Sequence, residues 1–278
     1  MITINDLTFW YSKRTRIFEA LTLELEPGHI YGLLGKNGAG KNTFLKLICG
    51  LSFPKSGKIT LDQHTPAKRE FEFLSEIFLV PEEIYVPFMA VKKFAEIYGG
   101  FYPAYDPSLF REYLDKFEVN ADHNFSHLSL GQRKKAMISF ALACNTRYLF
   151  LDEPANGLDI PSKATLRSLI AATFSEEKTI ILSTHQVRDL QTLIDSVIIL
   201  ENRRIIVNQS LEKIGQKLFF GHSLLSPAEG TVLFSANTEL GQMVITQNNS
   251  GNSGDVDLET LFMASMTIPE KISSFFEQ

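Results

Sequence analysis

The chain has 278 residues, 44% hydrophobic and 21% charged, with 27 basic against 32 acidic side chains and a net charge of −5. That length and apolar content sustain a packed domain with an appendage and exclude disorder over most of the chain. The acidic balance, without a long basic run, gives a duplex nucleic-acid surface no electrostatic support, so no nucleic-acid partner is expected.

The N-terminal stretch Met1-Ile2-Thr3-Ile4-Asn5 lacks the basic and apolar regions of a signal peptide. No run of about 20 apolar residues could cross a bilayer. Cys49 and Cys144 are far apart, each in apolar sequence without metal-ligand spacing, and read as small buried hydrophobes in a reducing compartment.

In chain order, residues 1 to about 28 alternate through Ile2, Ile4, Leu7, Phe9, Leu21, Leu23 and Leu25, which predicts strands on a half-buried sheet broken at Pro27-Gly28. Ile30 to Leu34 is a short apolar strand. Phe44, Leu45, Leu47 and Ile48 recur at helical spacing up to Gly50. Gly57 to Leu61 and Ile77 to Val80 read as strands. The region from about Tyr85 to Cys144 reads as mainly helical. Tyr148 to Leu151 and Thr179 to Leu182 are buried-type strands around a helix from Ser162 to Phe174. Strands joined by helical crossovers imply a parallel sheet covered on both faces. Ser196 to Leu200 and Arg204 to Val207 form a hairpin about Glu201-Asn202-Arg203. Beyond Leu211 come two alternating runs, Thr231 to Ser235 and Met243 to Thr246. A polar loop over 247–254 follows, then helices at about Leu258 to Ala264 and Pro269 to Phe276.

Three segments carry chemistry. Gly35-Lys36-Asn37-Gly38-Ala39-Gly40-Lys41-Asn42-Thr43 follows a strand and opens a helix, the context of a phosphate-binding loop. Its glycines let backbone N–H groups approach phosphate, the helix N-terminus adds partial positive charge, and Lys41 can reach the β- and γ-phosphates. Tyr148-Leu149-Phe150-Leu151-Asp152-Glu153 is a buried strand ending in two carboxylates. Asp152 suits a magnesium ion, directly or through water, and Glu153 suits the attacking water. Leu128-Ser129-Leu130-Gly131-Gln132 opens a helix, with Ser129 placed as its cap.

At this third segment the chain resembles the ATP-binding cassette family, whose signature reads Leu-Ser-Gly-Gly-Gln between the phosphate loop and the acidic strand. Pro154-Ala155-Asn156-Gly157-Leu158-Asp159 matches the family's loop after the acidic pair, and Ser183-Thr184-His185 matches its switch histidine. Tyr11, 30 residues before Lys41, stands where the family stacks an aromatic ring on adenine. The ordered set spans about residues 1–210.

The resemblance implies an α/β fold with a P-loop NTPase core on a mostly parallel sheet. It adds an N-terminal antiparallel β subdomain, an inserted helical subdomain at 85–144, and a small C-terminal α+β extension at 211–278. It implies ATP and Mg2+ as ligands, a second cassette paired head to tail, and a separate transmembrane permease at the inner face of the cell membrane. Carried over, the nucleotide-binding positions are Tyr11, Gly35, Asn37, Gly38, Ala39, Gly40, Lys41, Asn42 and Thr43. Ser129 and Gly131 are contributed across the interface, and Gln132 and Asp159 join the nucleotide-binding positions. Glu153 becomes the general base, His185 holds the γ-phosphate and water in line, and Lys41 completes the catalytic set. Asn42, Glu82 and Asp152 become the metal positions.

Three residues depart from the family pattern. Asn42 replaces a serine or threonine, Glu82 (or Glu83, one register along) a glutamine, and Leu130 a glycine. Leucine would be strained if its backbone needs positive φ. Asn42 either weakens the magnesium site, with Glu82 restoring it, or impairs hydrolysis outright. Two other classes stay open: a soluble ATPase of the same family, and a regulator that binds ATP without turnover. The stretch Val256 to Phe262 resembles the tail of exporter-type cassettes.

Overall fold

The computed structural model describes residues 1–12, 15–222, 232–238, 241–249 and 253–276. Thr231 and residues 250–252, part of the predicted run and polar loop, lie outside them.

Strands β1 (Ile2–Ser12) and β2 (Thr15–Leu25) form an antiparallel pair, and β4 (Ser56–Leu61) joins the other edge of β1. The predicted alternation is real: Ile2, Ile4 and Leu7 of β1 and Leu21, Leu23 and Leu25 of β2 all point into one core. A second sheet has six strands in the order β5 (Ile77–Val80), β6 (Tyr148–Asp152), β7 (Thr179–Thr184), β3 (His29–Leu34), β8 (Ser196–Glu201), β9 (Arg204–Ser210). All neighbours run parallel except β8 and β9, the predicted hairpin.

Continuous apolar strands are what a sheet covered on both faces requires. Leu149 and Leu151 of β6, Ile180 and Leu182 of β7, and Val197 and Ile199 of β8 enter one core. Phe150, Ile181, Ile198 and Leu200 alternate into the other. One face is covered by β1, β2, β4 and helix α1 (Lys41–Ile48). The other receives α3 (Val91–Tyr98), α4 (Pro107–Lys116), α5 (Leu130–Ala143) and α6 (Ile160–Thr173), the first three inserted between β5 and β6. Asp159 caps α6, with Ser162 N donating to its Oδ1, so this helix begins two residues before the predicted Ser162.

Three short elements escaped the sequence reading: α2 (Phe71–Ser75), α7 (Leu211–Lys217) and β10 (Leu218–His222). Five to seven residues are too few to display a period. Strand β10 pairs with β12 (Gly241–Gln247), which also pairs with β11 (Val232–Thr238). Helices α8 (Leu258–Thr267) and α9 (Pro269–Ser273) end the description. Leu218, Ile245, Leu258, Leu261 and Ile272 enter the same core as β6 and β7, so the C-terminal segment is packed onto the main sheet. Arg188 Nε also donates to Glu259 Oε2 of α8 at 2.6 Å. Among the described residues, no helix is long and apolar enough to cross a membrane.

Candidate active site

The loop between β3 and α1 wraps its own lysine. Lys41 Nζ donates to the carbonyls of Gly35 at 2.7 Å and Lys36 at 3.4 Å. Gly40, at φ 108, is the N-cap of α1, and a Cβ there would meet Phe18 at 3.0 Å. Only glycine fits this turn without strain. Burial lowers the pKa of Lys41, opposed by the charges of Glu153, Asp152 and Glu82. The helix N-terminus and the buried ammonium together make a site for an anion.

Strand register carries the carboxylates to the same place, because β6 and β3 both flank β7 and end at one edge. Asp152 Oδ1 accepts from Ser183 Oγ of β7, and Asp152 Oδ2 from Asn42 Nδ2 at 3.0 Å. Burial raises its pKa. Glu153 Oε1 accepts from His185 N at 3.1 Å, lies 2.7 Å from His185 Nδ1 and 3.9 Å from Lys41 Nζ. Where the carboxylate accepts from the ring, Nδ1 of the imidazole is the donor. Glu153 holds φ 46, a left-handed backbone unusual for a side-chain-bearing residue and frequent at functional sites.

A cleft of about 380 Å³ is lined by Asn37, Gly38, Gly40, Lys41, Asn42, Thr43, Glu82, Asp152 and Glu153, together with Ile17 and Lys36. Most of the nucleotide and metal positions named from sequence thus meet in one place. Ala39 N donates to Lys36 O within the same loop. Tyr11 is exposed at the rim, its ring edge-on to Phe9 and its hydroxyl 3.2 Å from Thr43 Oγ1. Glu82 Oε1 accepts from Asn156 Nδ2 at 3.3 Å.

Ser129, Gly131, Gln132 and Asp159 lie outside this cleft. Ser129 and Gln132 are occupied with each other in a capping box: Gln132 N donates to Ser129 Oγ at 3.2 Å, and Ser129 N to Gln132 Oε1 at 3.1 Å. Gly131 lines a neighbouring cleft with Glu82, Leu130, Lys134, Asn156 and Gly157. Asp159 sits on the turn before α6, its pKa lowered by the hydrogen bond from Ser162. The feared strain at Leu130 does not arise. It is the first residue of α5, it has no positive φ, and its side chain is 81% exposed.

Ser183, Asn156 and Lys134 are partners the sequence reading did not assign to roles. Lys134 stands in the run Arg133-Lys134-Lys135 near the start of a helix, and it is buried under the acidic turn. Only helix phase against the neighbouring strand could have singled it out.

A glycine-rich loop at a helix N-terminus, a buried lysine and two strand-end carboxylates define a P-loop nucleoside-triphosphatase. Residues 18–156 match the family model described as ABC transporter, and the chain belongs to that family. It is similar to the ABC transporter ATP-binding protein NatA of Bacillus subtilis, 29% identical over 77% of this chain and 91% of the relative. The Nod factor export ATP-binding protein I of Rhizobium etli is 30% identical over 74% and 66%, and the molybdate import ATP-binding protein MolC of Haemophilus influenzae 27% over 84% and 87%. A solved ATP-binding subunit of an ABC transporter shares the fold, with a TM-score of 0.70 at 24% identity over 77% of this chain and 91% of that one. The chain is the ATP-binding subunit of a transporter, an ATPase coupled to transport.

Proposed function

We propose that two such cassettes pair head to tail, each completing the other's ATP site, and drive a separate permease from the inner face of the membrane. The observation that carries this is the division of the site within one chain. The loop and the carboxylates share a cleft, while Ser129 and Gly131 open a helix outside it. A second helix N-terminus brought over the γ-phosphate by a partner would supply the missing N–H donors. Tyr85 and Phe88, exposed aromatics just after β5, support permease docking beside Glu82, since exposed apolar groups mark interaction surfaces. The tail Val256 to Phe262 favours export.

In this reading, backbone N–H groups from Gly38 to Thr43 and the Lys41 ammonium hold the phosphates, and Tyr11 stacks on the adenine. Glu153 takes the proton of the attacking water. His185, fixed through Nδ1, presents Nε2 to the phosphate and water. The donor set fits a magnesium ion: Asp152, Glu82 and the Asn42 carbonyl are hard oxygens. Among the described residues no group of three or more His, Cys, Asp or Glu could hold a metal unaided, so nucleotide phosphates would complete the shell. A bound magnesium ion would neutralise charge developing on the phosphate oxygens.

The direct test is ATP hydrolysis by the purified chain against protein concentration in saturating Mg2+. Specific activity should rise with concentration as dimers form. A specific activity independent of concentration across the range where the chain is monomeric would remove the paired-site reading.

Asn42 makes the metal position tunable. Its amide occupies one oxygen of Asp152 through a hydrogen bond. Releasing that oxygen by Asn42→Ser removes a competitor worth about 0.5–1.5 kcal/mol, so half-saturating Mg2+ should fall roughly 2- to 10-fold. A higher Mg2+ requirement in the variant, read by nucleotide-binding titration as well as turnover, would contradict the assignment.

A further inference from the structure

Helix α5 starts with the signature and runs back beneath the acidic turn. Lys134, at the start of its second turn, is 7% exposed and faces inward. Its Nζ donates to the carbonyl of Glu153 at 2.8 Å and the carbonyl of Asn156 at 3.0 Å. An ammonium is expensive to bury unless its hydrogens are bonded, so a lysine held this way fixes what it bonds. The object it fixes is unusual. Glu153 sits in the left-handed region, and its carbonyl also accepts from Asn156 N at 3.2 Å. A strained backbone persists only where its surroundings over-determine it.

Two more contacts join the same helix start to the same turn. A Cβ on Gly131 would lie 3.1 Å from the Gly157 carbonyl, so the two backbones pass close together. Lys135 Nζ is 4.0 Å from Asp159 Oδ1. From the other side, Arg133 Nε donates to the carbonyls of Phe125 and Leu128, each at 3.0 Å, and clamps the loop leading into α5. The start of α5 and the turn from Glu153 to Asp159 therefore form one mechanical unit.

We infer that Lys134 is a positioning residue for hydrolysis, transmitting the placement of the α5 N-terminus to the Glu153 carboxylate of the same chain. The inference rests on the paired-cassette reading, in which that N-terminus serves the partner's nucleotide. Engagement of one ATP would then bear on the base that acts at the other. Lys134 touches no nucleotide atom in this scheme and acts through Glu153 alone.

The experiment compares Lys134→Met, Lys134→Arg, Lys134→Gln and Lys135→Met with wild type and Glu153→Gln, using full-length protein. Turnover is expressed per mole of bound nucleotide, so that misfolded protein does not count. Methionine keeps the bulk and removes the donors. It should lower kcat about 10- to 100-fold, the scale of a misplaced reacting group, with KM for ATP essentially unchanged. Arginine or glutamine, which keep N–H donors in a larger or smaller volume, should restore much of the loss, and Lys135→Met should be mild. Turnover per site within twofold of wild type in Lys134→Met would overturn the inference, as would a KM rising in step with the loss or restoration by neither donor variant. A Glu153→Gln protein as active as wild type would instead strike the underlying reading of Glu153.

Discussion

Glu153→Gln should lower ATP turnover by about 10²- to 10⁴-fold, roughly 3–5 kcal/mol of barrier, while leaving ATP binding intact. The substitution is nearly isosteric. A glutamine carbonyl can still accept from His185 N and Nδ1, the bonds Glu153 Oε1 makes at 3.1 and 2.7 Å. The histidine therefore stays where it is, and so does the left-handed backbone at φ 46. What disappears is the capacity to take a proton, together with the negative charge 3.9 Å from Lys41. That charge opposes phosphate binding, so removing it should hold ATP as tightly as before or more so. Steady-state hydrolysis and nucleotide titration on one preparation check both halves. Retained turnover would remove Glu153 as the base, and lost binding would mean that the carboxylate organises the phosphate loop.

The second large effect is on stability. Phe140 of α5 is 1% exposed and stands in the middle of an aromatic cluster. Its ring centroid lies 5.0 Å from Phe94, 5.4 Å from Tyr105, 5.7 Å from Phe78 and 5.9 Å from Phe110. Those neighbours come from α3, the loop before α4, β5 and α4, so one side chain joins the inserted helices to the sheet edge next to Glu82. Phe140→Ala should cost about 3–5 kcal/mol in lost transfer and residual cavity. The melting temperature should fall by roughly 10 °C. Phe101→Ala, at a ring 56% exposed, should change stability little. Equal shifts in the two variants would mean that the cluster is not the anchor of the inserted helices.

Much of the fold could be read from the chain. The buried strands announced themselves as apolar runs because both faces of the central sheet are covered, and β1 and β2 by alternation because one face is. The glycine-rich loop, the acidic strand end and Ser183-Thr184-His185 were legible for a related reason. Each is a short contiguous peptide that can be read without knowing the tertiary fold, and their order along the chain identified the family. Short elements such as α7 and β10 were not legible, since a segment of five to seven residues has no period and forms only against a neighbour.

By itself, then, the sequence determined the class of protein, the covered parallel sheet and the places of the glycine-rich and acidic segments in it. Tertiary structure alone decided which side chains pair across them. Asn42 meets Asp152 over 110 positions, Glu153 meets His185 over 32, and Lys134 is buried beneath the acidic turn. Such pairings depend on which strands are neighbours and on the rotational phase of a helix over a sheet. Hydrogen bonds reach about 3 Å and discriminate between registers one residue apart, a resolution that residue type and spacing do not carry.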